Sequence, residues 1–264
     1  MSALRLDVEM VGDGRELVLL HSLLSDRTSF EPLAARIAGQ RRLVLVSLPG
    51  FGTSPPTGPA LTDYADAVAG AFEDLALPPE TDVLGNGLGG FVALHLAIRH
   101  GSRLARLVLV GSALAFPEAG RATFRALADK VEREGMAAVV DAAMRRMFPA
   151  DFIAANPEVV AGREAVFRRL DPEVFAAACR ALAALDLGDD LARIRNPTLV
   201  VVGGEDQATP PALGRALAER LANARIVEMP GLGHCPHIQD PDAFVARIAP
   251  FLGLDASRAE AQQR

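Results

Sequence analysis

The sequence predicts an α/β fold, a mostly parallel, doubly wound sheet that carries an all-helical insertion. Short apolar runs alternate with helical stretches over the first 115 residues and again after residue 187. Crossovers of that kind give a parallel sheet with helices on both faces. Between these two parts the chain is rich in Ala, Arg, Glu and Phe and has no strand-like β-branched run. We therefore expect a core of residues 1–115 and 188–253, a helical cap at 116–187 and a mobile tail at 254–264.

Five strands are predicted in the first part of the core. Residues 4–10 alternate apolar and polar side chains, which is the period of a half-exposed edge strand. Apolar runs at 17–20, 42–46, 81–84 and 104–110 are typical of strands covered on both faces of a parallel sheet. Helices are predicted to begin near residue 30 and to span 62–75 and 91–98.

The predicted cap is divided by prolines, and several short helices are expected there. These prolines are Pro117, Pro149, Pro157 and Pro172. The α/β alternation then resumes. Strands are predicted at 198–202 and 225–228, and helices at 211–222 and 241–252.

Composition argues against a nucleic-acid partner. The chain has 33 acidic and 27 basic residues and a formal net charge of −6, whereas nucleic-acid binding needs a clustered basic surface. Two cysteines do not make a disulfide framework, which favours a reducing compartment. The first ten residues lack an apolar signal region, and the run at 17–20 is far too short to span a membrane. We expect a cytoplasmic protein that acts on a small molecule, away from membranes, in an oligomeric state that the sequence leaves open.

Residues 85–90 read Gly-Asn-Gly-Leu-Gly-Gly and join an apolar run to a strongly helical one. A buried strand that turns sharply into a helix is the setting of a nucleophile elbow, whose motif is G-x-S-x-G. Gly85 and Gly89 keep that frame, but Gly87 stands where the motif has serine. A residue with a Cβ at such a tip bears about 1–3 kcal/mol of backbone strain, which glycine relieves. The fold should therefore tolerate Gly87, although the nucleophilic hydroxyl is absent.

Two further loops follow the ends of predicted strands, where open α/β sheets place their sites. Asp206 lies in a loop reading Gly-Gly-Glu-Asp, and His234 lies in a loop reading Gly-Leu-Gly-His. The order of elbow, acid and histidine along the chain is that of the α/β-hydrolase triad. The chain resembles the α/β-hydrolase superfamily over almost its whole length, and the resemblance implies the α/β-hydrolase fold.

The resemblance implies roles for several residues. Asp206 falls on the triad acid and His234 on the triad histidine, with Gly87 as a vacant nucleophile position. The loop at 21–23, His-Ser-Leu, falls on the oxyanion loop. The backbone amides of Leu23 and Leu88 would then form the oxyanion hole. In the loop at 47–54, Ser47 replaces the aspartate that the family usually has.

Within the superfamily, the chain is most similar to 3-oxoadipate enol-lactonases. The similarity rests on residues 21–23 and on the stretches at 148–150, 157–160, 171–173, 191–200 and 208–211. The aminoacrylate hydrolase-like group of pyrimidine breakdown is also similar, around 148–151 and 233–235, and members of that group can lack the serine. The resemblance implies hydrolysis of a small ester, a lactone or another labile carbonyl compound, with no cofactor and no metal.

Five residues on or beside these loops are further pocket candidates: His21, Ser22, Asn86, Ser112 and His237. Ser22 and Ser112 carry the nearest hydroxyls, but neither is expected on a turn that presents it to His234. His237 is expected to be either structural or part of the pocket wall. An arginine of the predicted cap, Arg145 or Arg146, either pairs a substrate carboxylate or lies on a solvated surface.

Three hypotheses of function follow from the glycine at the elbow. In the first, His234 activates a water that occupies the space of the missing serine side chain. In the second, the chain is an ordinary serine hydrolase inactivated by a Ser-to-Gly change. In the third, it is a non-catalytic protein that binds a small ligand on the same fold.

Overall fold

The computed structural model describes residues 5–255. Within this range the chain forms a seven-stranded sheet with helices on both faces. The strands are β1 (Val8–Val11), β2 (Glu16–Leu20), β3 (Arg42–Val46), β4 (Asp82–Asn86), β5 (Leu107–Val110), β6 (Thr198–Gly203) and β7 (Ala224–Met229). Their order in the sheet is β1-β3-β2-β4-β5-β6-β7. Only β1 is antiparallel, and it pairs with β3 so that Val8 faces Val46.

The helices are α1 (Glu31–Ile37), α2 (Leu61–Asp74), α3 (Leu88–His100), α4 (Glu118–Glu134), α5 (Val140–Met147), α6 (Ala150–Ala155), α7 (Pro157–Arg168), α8 (Pro172–Ala183), α9 (Pro211–Arg220), α10 (Pro236–Gln239) and α11 (Pro241–Leu252). Alternate side chains of each central strand point to opposite faces of the sheet. Leu17 and Leu19 join a core with α1 and α11, whereas Val18 and Leu20 join a larger core with α2, α3, α9 and the helices that follow β5. Because both faces are covered, the inner strands β2, β3, β5 and β6 carry continuous apolar runs.

The predicted fold class is confirmed, and most of the differences concern where elements begin and end. Within the described residues the first strand begins at Val8, later than predicted, since residues 5–7 are not in a strand, and α3 extends in both directions beyond 91–98. The predicted helix at 241–252 matches α11. Five helices, α4 to α8, stand between β5 and β6 in the segment 116–187, which we call the helical insertion. Most of the predicted tail, residues 256–264, lies outside the described residues.

Helix α3 lies so close to the sheet that only glycine fits at its first turn. A Cβ on Gly89 would lie 2.0 Å from the backbone oxygen of Leu20, and a Cβ on Gly85 would lie 2.3 Å from that of Gly89. Real Cβ atoms never approach backbone that closely. The glycine frame of the elbow is therefore required by packing, independently of any chemistry.

At the amino end of β4, away from the elbow, the buried carboxylate of Asp82 binds three arginines. Arg41 donates to it at 2.6 Å, Arg15 at 3.1 Å, and Arg106 donates through two nitrogens at 3.0 Å each. Arg41 and Arg106 also donate to the backbone oxygen of Leu252, at the end of α11. The cluster therefore links the start of β4 to the last helix.

We predict that Asp82→Asn lowers the free energy of unfolding by about 3–5 kcal/mol, because it leaves the buried Arg41 guanidinium without its counter-ion. Urea denaturation measures the change. The matched control is Asp66→Asn, which breaks an exposed ion pair with Arg99 and should cost less than about 1 kcal/mol. Equal small effects in the two variants would contradict the structural role given to Asp82.

Candidate active site

Three loops at the carboxyl ends of parallel strands meet at one place. Gly87 follows β4, Asp206 follows β6 and His234 follows β7. Gly87 has φ of 51° and ψ of −116°, in a region that residues with a Cβ rarely adopt. A Cβ built on Gly87 would lie 2.6 Å from His234 Nε2. The tip of the elbow therefore faces the histidine ring directly.

His234 is buried and held from three sides. Its Nδ1 lies 2.8 Å from Asp206 Oδ2, its backbone N–H donates to the oxygen of Met147 at 3.0 Å, and its own oxygen accepts from Asn86 Nδ2 at 2.9 Å. A carboxylate can only accept, so Nδ1 carries a proton, and in the neutral ring the lone pair is then on Nε2. The arrangement leaves Nε2 free to accept a proton from an attacking oxygen.

Asp206 is fixed as firmly as the histidine that it orients. Its Oδ1 accepts from the backbone N–H groups of Ala208 and Thr209, each at 2.8 Å. These bonds use the oxygen that does not face the ring of His234. Together the bonds compensate the carboxylate for its removal from water, which would otherwise be costly. The side chain is thereby held in one orientation toward Nδ1.

The loop after β2 is anchored by a buried histidine. His21 Nε2 accepts from the backbone N–H of Leu48 at 3.1 Å, so its Nδ1 carries the proton and donates to the oxygen of Ser22 at 3.0 Å. The same oxygen accepts from the N–H of Ser25 at 3.2 Å. Burial lowers the pKa of His21 to about 4, which keeps the ring neutral. The backbone of Ser22 is therefore held rigidly.

The hydroxyl of Ser22 reaches the ring of His234. Its Oγ lies 3.3 Å from His234 Nε2, within hydrogen-bonding distance. The expectation that no turn presents Ser22 to His234 is therefore wrong. A residue 212 positions away along the chain could not be oriented from sequence alone, because the bond depends on how two separate loops pack. Ser112 is different, since its Oγ faces the backbone oxygen of Val110 at 3.4 Å.

Two backbone amides lie beside this group of side chains. The N–H groups of Leu23 and Leu88 donate to no protein acceptor within the described chain, whereas the neighbouring amides of Gly87, Gly89 and Gly90 all do. Leu88 begins α3, where the helix dipole adds a positive partial charge. Free amides at such a position are suited to stabilise a developing oxyanion.

A small, largely apolar pocket opens onto Gly87, Ser22 and His234. Its walls combine the core with the helical insertion: Leu23, Leu24, Leu88, Phe91, Phe116, Phe124, Leu127 and Leu182. Apolar walls with a few convergent polar groups are typical of small-molecule sites. The site thus combines polar groups at the carboxyl ends of the strands with apolar side chains that form the rest of the wall.

Among the described residues that line this pocket, Arg146 is the one with a permanently charged side chain. It is half-buried, its Nη2 donates to the oxygen of Ala208 at 3.3 Å, and its Cζ lies 5.6 Å from the centre of the Phe124 ring. Within residues 5–255 no carboxylate forms an ion pair with it. Burial lowers its pKa, although the charge of Asp206 acts in the opposite direction. The neighbouring Arg145 is exposed and lies outside the pocket wall.

Four of the five pocket candidates do not line the pocket but lie behind the residues that do. His21 and Asn86 bond to the loops described above, and Ser112 packs under the first turn of α3. His237 stacks on Phe30 with ring centres 4.9 Å apart, and burial lowers its pKa to about 3. These residues support the site from outside, and only Ser22 of the five lines the pocket.

Sequence reasoning missed the apolar wall supplied by the helical insertion. Phe116, Phe124 and Leu127 lie in or just before α4, whose apolar residues recur at helical spacing. That periodicity marks a buried stripe but does not say which other element covers it. Here the stripe faces both α8 and the pocket.

Comparison with known proteins points to one family. A model described as the alpha/beta hydrolase family matches residues 17–247. The pimeloyl-[acyl-carrier protein] methyl ester esterase of Aeromonas hydrophila subsp. hydrophila is 31% identical over 266 residues, which cover 93% of this chain and 98% of that protein.

Solved structures agree with this match. The enol-lactonase from Burkholderia xenovorans LB400 superposes with a TM-score of 0.88 at 31% identity, over 94% of this chain and 96% of that one. A thermophilic esterase from Thermogutta terrifontis, solved with malate bound, gives a TM-score of 0.86 at 29% identity, over 94% and 92%. The predicted resemblance to the superfamily and to enol-lactonase-like hydrolases is confirmed. No helix within residues 5–255 combines the length and the apolar composition needed to cross a membrane.

The buried His21 predicts a pH dependence of stability. Its pKa is about 4 in the folded chain and near 6.5 when unfolded, so between these values the unfolded state binds more protons. This contribution is complete above about pH 6.5 and is lost as the pH falls toward 4, by up to about 1.4 kcal/mol per pH unit. Urea denaturation from pH 7 to 5 should show a smaller decline for His21→Gln than for the natural chain. Equal losses of stability in the two chains would contradict the role given to His21. The buried His237 is present in both chains, so its own contribution to the pH dependence is the same in each.

Proposed function

This chain belongs to the alpha/beta hydrolase family, and from that premise we propose that it hydrolyses small carboxylic esters or lactones. Relatives named as an esterase and an enol-lactonase support this class of reaction. The single observation that carries the proposal is the buried pair of His234 and Asp206, with Nε2 directed at the elbow and the pocket. A purely ligand-binding protein would have no need of a positioned base.

In the proposed reaction, His234 Nε2 takes the proton of the attacking oxygen as that oxygen bonds to the substrate carbonyl carbon. Asp206 keeps the ring in the required tautomer and stabilises the imidazolium that forms. The amides of Leu23 and Leu88 bind the oxyanion. His234 then returns the proton to the leaving alkoxide when the carbon–oxygen bond breaks. In a lactone, that alkoxide remains attached to the product.

Gly87 itself can supply no nucleophile, so the attacking oxygen comes from elsewhere. Loss of a triad member leaves roughly 10³–10⁴-fold catalysis over water from the oxyanion hole and binding alone. That rate suits a labile substrate such as an enol-lactone or an activated ester and not a stable amide. The two other hypotheses, an inactivated serine hydrolase and a binding protein, make different predictions in the experiment below.

We propose further that residues 116–187 act as a cap and that the substrate carries a negative charge. Arg146, on α5 of the helical insertion, brings a cation into a largely apolar pocket, and no carboxylate within residues 5–255 pairs with it. A half-buried charge of this kind is stabilised when a ligand anion pairs with it. The related Thermogutta terrifontis esterase has been solved with malate, a dicarboxylate. A carboxylate on the substrate is the simplest partner for Arg146.

We expect the natural chain to hydrolyse an activated aryl ester and an enol-lactone, and His234→Ala to lower kcat by about 10²–10⁴-fold through loss of the general base. His100→Ala is the matched control, because His100 lies outside the pocket, 2.8 Å from Asp66 Oδ1, and its loss should leave the rate unchanged. An inactive natural chain that gains large activity on Gly87→Ser would identify an inactivated serine hydrolase. No activity in either the natural chain or Gly87→Ser would support the third hypothesis, a non-catalytic binding protein.

Arg146→Gln should raise KM about 10- to 100-fold for a carboxylate-bearing lactone, since it removes a charge-assisted hydrogen bond of about 1.5–3 kcal/mol. KM for a neutral aryl ester should stay nearly constant. The control is Arg145→Gln, which removes the same charge at an exposed position outside the pocket. Steady-state kinetics on both substrates measure the difference. Equal effects of the two arginine variants would exclude Arg146 as the anion-binding group.

A further inference from the structure

We propose that Ser22 is the nucleophile of this enzyme, in place of the serine that the elbow lacks. The inference rests on the proposed ester or lactone hydrolysis and names the oxygen that attacks. It replaces the earlier expectation that a water fills the space above Gly87. Four observations carry it: the hydrogen bond to His234, the position of the hydroxyl, the anchoring of the loop and the surroundings of the other serines.

The first observation is a complete relay of three side chains. Ser22 Oγ lies 3.3 Å from His234 Nε2, and His234 Nδ1 lies 2.8 Å from Asp206 Oδ2. Hydroxyl, imidazole and carboxylate are therefore connected as in a serine hydrolase triad, which is recognised by geometry and not by sequence position. Hydroxyl–imidazole bonds of this kind are often long when no substrate is bound. A water at Nε2 would have to displace Ser22 from it.

The second observation is where the hydroxyl lies. A Cβ on Gly87 would be 2.6 Å from Ser22 Oγ and also 2.6 Å from His234 Nε2. These distances are too short for an unshifted structure, so Ser22 Oγ already takes up part of the space that a side chain at position 87 would need. Ser22 also lines the pocket beside Gly87. The glycine at the elbow thus makes room for a hydroxyl from the neighbouring loop.

The third observation is that the loop is held still. The backbone oxygen of Ser22 accepts from His21 Nδ1 and from the N–H of Ser25. The amide of the next residue, Leu23, donates to no acceptor within the described chain. In serine hydrolases with an elbow, the amide that follows the nucleophile contributes to the oxyanion hole. Leu23 stands in that relation to Ser22, as Leu88 does to Gly87.

The fourth observation is that other serines near this loop lack a base. Ser25 Oγ and Ser29 Oγ are buried and have no hydrogen-bond partner among residues 5–255. Ser112 Oγ faces the backbone oxygen of Val110. Within the described chain, Ser22 is the serine whose hydroxyl bonds to a histidine ring.

The proposed reaction has two balanced halves. Ser22 Oγ bonds to the carbonyl carbon while its proton passes to His234 Nε2, and the carbon–oxygen bond to the leaving group then breaks as that proton moves to the alkoxide. The product of this half is an ester of Ser22. A water next attacks the same carbon and gives its proton to Nε2, and the proton finally returns to Ser22 Oγ as the carboxylic acid leaves.

The test is covalent labelling of the full chain with an alkyl fluorophosphonate, in which an activated serine forms an O–P bond and fluoride leaves. Intact mass and peptide mapping should find one adduct, on Ser22, and it should disappear in both Ser22→Ala and His234→Ala. Aryl ester turnover in Ser22→Ala should fall by about 10³-fold or more. The matched control is Ser25→Ala, which removes a buried hydroxyl from the same loop without touching His234 and should keep both adduct and turnover.

The outcomes separate this inference from the proposed function. The inference is overturned if no adduct forms and if turnover is lost in His234→Ala but persists in Ser22→Ala. Attack by a water activated by His234 would then explain the turnover. An adduct on Ser22 without ester or lactone turnover supports the nucleophile and overturns the proposed substrates. Neither adduct nor turnover overturns both.

If thermal melting shows that Ser22→Ala does not fold, Ser22→Cys decides. Alkylation of position 22 by iodoacetamide that depends on His234 supports the inference, and a thiol that stays unreactive overturns it. The two natural cysteines are buried, and burial raises the pKa of both, so they provide an unreactive background.

Discussion

The close contact between helix α3 and the sheet is the constraint on which the site depends. Gly85 and Gly89 let the helix approach backbone that any Cβ would meet at 2.0–2.3 Å. This approach places the start of α3, with its free amide at Leu88, beside the loop of His21 and Ser22. The N–H of Gly89 also donates to the oxygen of His21 at 2.9 Å, which joins the two loops directly. The glycine frame thus persists for structural reasons although the serine of the motif is absent.

Two buried carboxylates lie at opposite ends of the strands, Asp82 at the amino end of β4 and Asp206 beyond the carboxyl end of β6. Their different hydrogen-bond partners give them different roles. Asp82 is surrounded by three arginines, and the cluster holds the start of β4 against the last helix. Asp206 has two backbone amides and one histidine. A histidine can gain and lose a proton near neutral pH. The first carboxylate therefore serves stability, whereas the second is placed to orient a base.

The pocket concentrates these effects because its walls are largely apolar. Its walls are leucine and phenylalanine side chains from both the core and the helical insertion. Electrostatic interactions are stronger in such surroundings than in water. The hydrogen bond between Ser22 and His234, the free amides and the Arg146 cation all border this space. A small substrate bound there would contact each of them while its apolar parts replaced water at the walls.

The amino-acid sequence by itself determined the sheet, the helical insertion, the elbow and the order of Asp206 and His234, because apolar periodicity and turn residues are local properties of the chain. Packing decided the rest. The direction of the Ser22 hydroxyl depends on two loops separated by 212 positions, and local sequence says nothing about that distance. Likewise, Arg145 and Arg146 are neighbours with the same side chain, and only the orientation of α5 makes one a pocket residue and the other exposed. Side-chain direction follows from tertiary contacts, so residue identity alone could not distinguish these roles.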